Sequence, residues 1–534
     1  MTTLVPRPPY SPAEFSALYP PGLELQQVQI LLRHGERTPV SARFKNTGLA
    51  THWPYCAAAN QLRHAVLAAD GTWSTLQWRR AMETLDPATH GPTPALAQTG
   101  QNAAICESGE LTDLGRQTTL ALGHRLRGLY IDRLHLIPAT LSATNTDTVA
   151  LRSTPVPRAL ESVQQAFVGL YPASSRAADL PPKAIVRRAQ WEETLFPNES
   201  YCPRFGELAK AFGARAATLY NDGPEMKYLN SRLGKYMPAA SPEVKVDSHP
   251  RLSGIMDSIN ATRAHADTAS TRLPAEFYEE KVLGTVDKIC VEEWFGGYAE
   301  SAEYRKLGIG GLVGDLTQRM VERTRAMGGK SDRGGAEGQG FKLSMAGCHD
   351  TTLAAALTAL GAFDVKRDHW PNFTSNIAFE LFRRKDAAAA PVLTTPQPAT
   401  NTAKPSWWSS LFSSPSTPAS ATAAPEPRTP FKDLPLAEQA KLDGHFVRLR
   451  YNDTPVTIPY CRQPGKHWEG DESFCTLAAF KEVADSFTPG DWRVECKMNL
   501  GTPGVPGMAG GPGVERVMGM GGDDELPGKR AIDR

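Results

Sequence analysis

The segment at residues 33–39, with the sequence RHGERTP, combines residue types that a phosphate-binding reaction site requires. Arginine guanidinium groups bind phosphate oxygens in a bidentate manner and keep their charge at physiological pH. A neutral histidine nitrogen can attack phosphorus and form a covalent phosphoenzyme. The segment therefore predicts a site in which His34 is the nucleophile and Arg33 and Arg37 bind phosphate. The alternative interpretation is an exposed charged turn after a strand.

Two other apolar runs also end in polar residues and are followed by helical patterns. The run at residues 148–151 ends at Arg152, and the run at residues 341–346 leads to His349 and Asp350. This repetition of strand and helix predicts an α/β sheet that helices cover on both faces. Because ligands bind beyond the carboxyl ends of the strands in such sheets, we expect these residues to converge with His34.

Several blocks of the chain resemble those of the histidine acid phosphatases, the larger branch of the histidine phosphatase superfamily. The RHGERTP segment matches the R-H-G-x-R-x-P signature of that family in full. The residues LRST at 151–154, with Arg158 close behind, resemble the block that carries a third phosphate-binding arginine. The blocks GELTDLG at 109–115 and HD at 349–350 are also similar to the family's. The run DHWPNF at 368–373 makes intracellular lysophosphatidic-acid-phosphatase-like members the most similar in appearance.

This resemblance implies a phosphoglycerate-mutase-like central sheet, flanked by helices on both faces, with a helical cap insertion. It implies that Arg33, Arg37 and Arg152 bind the phosphate and that His349 donates to it as well. It implies that Asp350 protonates the leaving oxygen and later activates water. The alternative for Arg152 is a structural ion pair, and the alternative for Asp350 is capping of the following helix. No metal ligand and no cofactor are expected.

The predicted function is that of an acid phosphatase, which hydrolyses a small-molecule phosphomonoester through a covalent phosphohistidine on His34. Lysophosphatidic acid or another small intracellular phosphomonoester is the expected substrate. Two alternatives stay open. The first is a phytase-like inositol phosphate phosphatase. The second is a non-catalytic phospholigand-binding or scaffold protein, which would need the arginines but not both His34 and Asp350.

Composition divides the chain into three parts. Residues 1–22 form a Pro-rich N-terminal arm, residues 23–500 form the histidine phosphatase domain, and residues 501–534 form a flexible tail rich in Gly, Met and Pro. Within the domain, the helix-rich stretch at residues 172–307 is the expected cap. The stretch at residues 387–430, rich in Ala, Pro, Ser and Thr, is predicted to be disordered.

The predicted disordered insertion separates two strand-like runs at residues 377–382 and 446–451, which predicts a long hairpin insertion. An apolar cluster within it, Trp407–Phe412, is a candidate docking element for a partner or a membrane surface. The insertion lies far from the motif residues along the chain, so we expect it to leave the chemistry intact.

Charge and cysteine content restrict the class of protein further. The chain has 58 Lys and Arg against 57 Asp and Glu, a net charge of +1, which argues against a broad nucleic-acid-binding or membrane-binding field. There is no apolar run long enough for a transmembrane segment, and the N-terminus lacks the apolar core of a secretory signal. We therefore expect an intracellular protein, with the cytoplasm favoured and the mitochondrion as the alternative. The eight cysteines are then expected to be reduced, with a bridge such as Cys461 to Cys496 left open.

Overall fold

The computed structural model describes residues 3–505 apart from residues 7, 98–99, 101, 267, 329–339 and 386–427. The candidate docking element Trp407–Phe412 and nearly all of the predicted insertion lie outside these residues, as does the chain after residue 505. The strands are β1 Leu23–Arg33, β2 Leu62–Leu67, β3 Trp73–Trp78, β4 Glu83–Leu85, β5 Pro92–Pro94, β6 Val149–Ser153, β7 Ile185–Val186, β8 Leu343–Cys348, β9 Asn376–Arg384, β10 His445–Tyr451, β11 Thr454–Val456, β12 His467–Trp468 and β13 Asp471–Thr476.

The α-helices alternate with these strands and also form a long helical stretch between β7 and β8. They are α1 Pro12–Leu18, α2 Asp113–Leu126, α3 Pro157–Leu170, α4 Pro203–Tyr220, α5 Pro224–Leu233, α6 Leu252–Ala264, α7 Glu280–Glu300, α8 Ala302–Arg305, α9 Gly311–Gly328, α10 Asp350–Ala359, α11 Leu436–Ala440, α12 Leu477–Asp485 and α13 Trp492–Glu495. Helices α4 to α7, here called the helical region, fall within the stretch that the sequence predicts to be a cap.

Nine of the strands form one mixed sheet in the order β12-β13-β10-β9-β1-β8-β6-β7, with β11 paired to β10. The strands β1, β8, β6 and β7 run parallel to one another, whereas β9 pairs antiparallel with β1. The strands on either side of the predicted insertion, β9 and β10, pair antiparallel from Arg383 and His445 to Ile377 and Tyr451. The predicted α/β fold is therefore confirmed, and so is the pairing of the two strands that flank the insertion.

The central strand β1 is buried on both faces because its alternate side chains enter two different cores. Ile30 and Leu32 pack in a core with side chains of α2 and α3. Leu31 packs on the opposite face, in the larger core that includes the helical region, α9 and α10. On that face the side-chain amide of Gln29 donates to the carbonyl of Leu316 in α9, at 2.9 Å. Helices thus cover the sheet on both sides, and ligand access is left to its edge.

Within the described part of the chain, no helix combines the length and the apolar character needed to cross a bilayer.

Six of the eight cysteines form disulfide bonds, so the expectation of reduced thiols is wrong. The pairs are Cys56–Cys106, Cys202–Cys496 and Cys461–Cys475. The bridge left open from the sequence, Cys461 to Cys496, does not form, because each of these residues is bonded to a different cysteine. The Cys202–Cys496 bond joins residues 294 apart and ties the start of α4 to the end of α13. Only the fold brings these positions together.

The disulfides predict a thiol count. Protein denatured without a reductant should expose two titratable thiols, Cys290 and Cys348, which are buried in the native state. Reduction in denaturant, followed by removal of the reductant, should raise the count to eight. The measurement is thiol titration in denaturant with and without reductant, and eight thiols in the unreduced sample would contradict the pairing.

Candidate active site

Three strand ends meet at one edge of the sheet because β1, β8 and β6 are paired in parallel. Arg33, the last residue of β1, lies beside Cys348, the last residue of β8. Ser153 of β6 lies beside Gly347 of β8. His34 and the 349–350 pair follow directly after these strands, so the predicted convergence of the three segments is what the structure shows.

The loop after β1 depends on a close approach to α2. A Cβ atom on Gly35 would lie 2.3 Å from the carbonyl oxygen of Gly115, so any larger residue would displace the loop. The Gly35 amide donates to Ser162 Oγ at 3.1 Å, and the Thr374 amide donates to the carbonyl of His34 at 3.1 Å. Thr374 has a φ of 65°, a left-handed conformation that costs a β-branched residue free energy. The surrounding contacts therefore hold His34 in place at the expense of local strain.

The His34 imidazole is fully buried and is held in one orientation. Its Nδ1 lies 2.9 Å from the carbonyl oxygen of Gly35, so Nδ1 carries the proton and donates. Its Nε2 has no hydrogen-bond partner among the described residues. Burial holds the pKa of His34 well below its usual range, and the charges of Arg158, Arg33 and Arg37 lower it further. Nε2 is therefore a neutral lone pair, as a nucleophile requires.

Asp350 is the first residue of α10 and lies at the same edge of the sheet as His34. Its Oδ2 forms an ion pair with Arg33 Nη2 at 2.5 Å and accepts a hydrogen bond from Trp370 Nε1 at 2.9 Å. Its Oδ1 accepts from the amide of Thr351 at 2.8 Å. The N-cap position of α10 is occupied by His349, not by Asp350. The alternative interpretation, in which Asp350 caps α10, is therefore wrong, because His349 holds that position.

The His349 ring lies beside His34, with the two ring centroids 5.6 Å apart. Its Nε2 lies 3.1 Å from Thr154 Oγ1, in the segment that follows β6. The hydroxyl of Thr154 thus orients the imidazole, and the third strand end contributes to the site through this threonine.

Arg33 and Arg37 are both buried, and both are paired with carboxylates. Arg33 Nη1 donates to the carbonyl of Pro371 at 2.6 Å, and its guanidinium lies 4.2 Å from the centroid of the Phe373 ring. Arg37 Nη1 donates to Asp257 Oδ1 in α6 at 2.6 Å. A phosphate that binds these arginines would therefore share them with Asp350 and Asp257.

The structure does not place the side chain of Arg152 with those of Arg33 and Arg37. Its Nη2 is ion-paired with the fully buried Glu193, and its Nη1 lies 4.0 Å from Asp315. This arrangement corresponds to the alternative interpretation, a structural ion pair. The residue that acts on His34 instead is Arg158, in the first turn of α3, whose charge is the largest electrostatic cause of the lowered pKa of His34. The sequence shows Arg158 only as an arginine near the Arg152 block.

A pocket opens beside Arg33, Arg37 and Asp350. Sequence reasoning missed most of its wall, which comes from one face of α6, from α7 and from the segment before β9. The residues that line it are Arg33, Arg37, Ser253, Met256, Asp257, Asn260, Trp294, Asp350, Thr351, Trp370 and Phe373. The α6 residues have the spacing i, i+3, i+4 and i+7 of a single helix face. That spacing is the one sequence signal for them, and it is also typical of an ordinary amphipathic helix.

A second carboxylate holds the pocket wall in place. Asp287 of α7 accepts a hydrogen bond from the amide of Trp370 at 3.1 Å, and its Oδ2 lies 2.7 Å from Nδ1 of His369. Trp370 in turn donates to Asp350. The helical region therefore positions the carboxylate of Asp350 through this one tryptophan.

Residues 24–393 match the family model of the histidine phosphatase superfamily, branch 2. The chain belongs to this family. A Schizosaccharomyces pombe protein named probable acid phosphatase is 35% identical over 481 residues, covering 90% of this chain and 95% of that protein. The family and this relative identify the chain as a phosphoric monoester hydrolase of the acid phosphatase type.

More distant similarities were also found. Bovine (Bos taurus) lysophosphatidic acid phosphatase type 6 is 24% identical over 373 residues, which cover 68% of this chain and 75% of that protein. The tartrate complex of Hafnia alvei phytase is 12% identical with a TM-score of 0.49, and the match covers 88% of this chain and 98% of that one. At this level the structural likeness adds nothing to the family assignment.

The positions of Arg158 and Arg152 predict different defects. Arg158→Ala should lower kcat/KM by about a hundredfold or more, because a phosphate charge loses a preorganised ligand. Arg152→Met should instead lower the free energy of unfolding by about 3–5 kcal/mol, because Glu193 remains buried without its cation. Steady-state kinetics with a chromogenic phosphomonoester and denaturant unfolding measure the two effects. A stable Arg152→Met variant with the larger loss of kcat/KM would reverse the assignment.

Proposed function

We propose that this acid phosphatase works through a covalent phosphohistidine on His34, with Asp350 as the general acid. The observation that carries the proposal is the state of the His34 ring, which is buried and neutral, with Nδ1 hydrogen-bonded and Nε2 without a hydrogen-bond partner in the described part of the chain. A non-catalytic phosphate-binding protein would need the guanidinium groups but not this prepared nucleophile.

In the first step, the substrate phosphate binds between Arg33, Arg37 and Arg158, with His349 as a further donor. His34 Nε2 attacks phosphorus, so that the new bond to nitrogen forms while the bond to the ester oxygen breaks. Asp350 gives its proton to the leaving oxygen, and the alcohol departs.

In the second step, the Asp350 carboxylate takes a proton from a water molecule. The water oxygen attacks phosphorus, the bond to Nε2 breaks, and inorganic phosphate leaves. His34 returns to its neutral form and Asp350 to its protonated form. The protein groups alone balance this sequence, so we expect turnover to need no metal ion.

The Asp350 carboxylate exchanges one of its partners when phosphate binds. Without ligand, Arg33 is paired with it at 2.5 Å. A phosphate dianion competes for Arg33, and the carboxylate takes from the solvent the proton that it later gives to the leaving oxygen. Trp370 remains as a fixed donor that keeps the group in place.

Lysophosphatidic acid, or another small phosphomonoester, is the proposed substrate. The similarity to a bovine lysophosphatidic acid phosphatase supports this choice. The pocket also has an apolar side, made by Met256, Trp294, Trp370 and Phe373, and a polar side that includes Ser253 and Asn260. A glycerol phosphate with an apolar chain fits such a pocket, because the chain can pack against the apolar side and the glycerol hydroxyl can bind to the polar side.

The disulfide bonds bear on the proposed compartment. The expectation of a cytoplasmic protein was tied to reduced cysteines, and six of the eight are paired. Structural disulfides persist in oxidising compartments and are rare in the cytosol. We therefore propose that the chain folds in an oxidising compartment.

His34→Ala should reduce kcat on a chromogenic phosphomonoester by several orders of magnitude while leaving the unfolding midpoint near that of the wild type. The reason is that the variant loses the attacking nitrogen but keeps the phosphate ligands. Wild-type protein denatured in alkali during turnover should carry phosphate on this histidine, since the phosphorus–nitrogen bond is labile in acid and stable in base, and peptide mass spectrometry at high pH would locate it. Chelation with EDTA serves as the control and should not change the wild-type rate. An active alanine variant would show that His34 is not the nucleophile.

Asp350→Asn should slow the hydrolysis of alkyl phosphates far more than that of aryl phosphates with acidic leaving groups. Proton donation contributes about 10²- to 10⁴-fold where the leaving oxygen is basic, and much less where it is not. The measurement is the dependence of kcat/KM on leaving-group acidity in both proteins. An equal loss across the series would mean that the residue acts only by its position at the start of α10.

A further inference from the structure

The pocket that Arg33, Arg37 and Asp350 line has as many aspartates as arginines in its lining. The charged residues that line it are two arginines and two aspartates, paired as Arg33 with Asp350 and Arg37 with Asp257. Arg43, which is not part of the lining, also donates to Asp257, at 3.1 Å. Once a phosphate occupies Arg33 and Arg37, with Asp350 as the protonated acid, Asp257 is the carboxylate of the lining that still faces the rest of the substrate, with Arg43 as its partner.

Asp257 lies on the side of the pocket that the alcohol must occupy. The phosphate is confined to His34 and the arginines, and the leaving oxygen must lie near Asp350, which protonates it. The alcohol therefore extends towards the remaining wall, where α6 presents Ser253, Asp257 and Asn260. The Asp257 carboxylate is 9% exposed, so solvent screens its charge only weakly.

A second cavity beyond this wall also contains carboxyl groups. It is lined by Glu199, Ala209, Gly213, Arg251, Glu293, Trp294 and Tyr304. Trp294 lines both this cavity and the pocket that Arg33 and Asp350 line, so the indole forms part of the boundary between them. Two carboxylates face one guanidinium, and Arg251 is ion-paired with Glu293.

Glu199 has no hydrogen bond or ion pair to any described residue. Burial raises the pKa of this carboxyl group to about 8; Arg251 opposes the shift and Glu293 adds to it. Ionisation of Glu199 would add negative charge to the cavity, and a cation there would favour that ionisation. An anion there would meet Glu293 and would keep Glu199 protonated.

We infer that this enzyme selects monophosphates whose alcohol is uncharged or cationic, and that Asp257, with Glu199 behind Trp294, discriminates against alcohols that carry further phosphate or carboxylate groups. The inference rests on the proposed function, because it takes the phosphate to lie at His34. It also separates the two enzyme hypotheses drawn from the sequence. A highly phosphorylated inositol would place several anions against Asp257, whereas glycerol-based monophosphates would not.

The test compares esters that differ in the charge of the alcohol: glycerol phosphate, phosphocholine, 3-phosphoglycerate and inositol hexakisphosphate. For the wild type, kcat/KM should be at least about tenfold lower for the two anionic alcohols than for glycerol phosphate, because like charges less than a Debye length apart repel in a weakly screened site. Added salt should narrow the difference. Equal or higher values for the anionic alcohols would overturn the inference.

Two variants locate the effect. Asp257→Asn should lower the ratio of kcat/KM for glycerol phosphate to kcat/KM for 3-phosphoglycerate. This holds even if the loss of the ion pair with Arg37 changes both rates. Glu199→Gln should lower the ratio of kcat/KM for phosphocholine to kcat/KM for 3-phosphoglycerate. The value of kcat/KM for glycerol phosphate should stay near that of the wild type. Glu243→Gln is the matched control, since it makes the same change from carboxyl to amide at an exposed residue that pairs with Lys245. Ratios that change equally in the control and in Glu199→Gln would overturn the assignment of Glu199.

Binding separates this inference from the catalytic proposal. The same esters are titrated into the His34→Ala variant by calorimetry, where no turnover is needed. Tighter binding of glycerol phosphate than of 3-phosphoglycerate would support the inference even if the wild type proved inactive, and inactivity would count against the proposed function alone. Equal or tighter binding of the anionic ester would overturn the inference even in an active enzyme.

Discussion

The arrangement of this site follows from one constraint: several guanidinium groups surround a buried imidazole, and each of them needs an anion. Arg33 finds Asp350, and Arg37 finds Asp257. Unpaired, these buried cations would cost several kcal/mol each. In the proposed mechanism, the carboxylates that stabilise these arginines without ligand are also the groups that a substrate phosphate displaces. The positive field that keeps His34 neutral thus determines which acidic residues stand around it.

The same constraint attaches the helical region to the sheet. Asp257 belongs to α6, so the ion pair with Arg37 joins that helix to the loop after β1. Asp287 belongs to α7 and fixes Trp370, which contacts Asp350. Polar contacts of this kind are directional, whereas the apolar core beneath them is not. They therefore set the position of the helices relative to the phosphate more precisely than packing could.

Much of the sheet and of the catalytic edge could be predicted from the sequence. The apolar runs before Arg33, Arg152 and His349 mark buried parallel strands, and parallel strands align their carboxyl ends. The placement of Arg152 could not be predicted in this way. Its side chain is ion-paired with Glu193, 41 positions further along the chain. The sequence pattern of an arginine at a strand end does not distinguish a residue that faces a ligand from one that pairs with a buried glutamate.

The pocket wall and the disulfides were beyond the sequence for a related reason. Ser253, Asp257 and Asn260 lie on one face of α6, but polar residues at that spacing are also typical of a face towards solvent. Their role depends on whether this face of α6 is oriented towards the pocket or towards solvent. The cysteines likewise have no spacing signal, since the bonded Cys202 and Cys496 lie 294 positions apart in the sequence.

Helix α7 carries both Asp287 and Trp294, seven residues apart and therefore on nearly the same side of the helix. Asp287 fixes Trp370 beside Asp350, the proposed proton donor, and Trp294 forms part of the pocket wall. A shift of α7 would alter both at once. Under the proposed mechanism, the range of alcohols and the proton transfer are therefore mechanically coupled through α7.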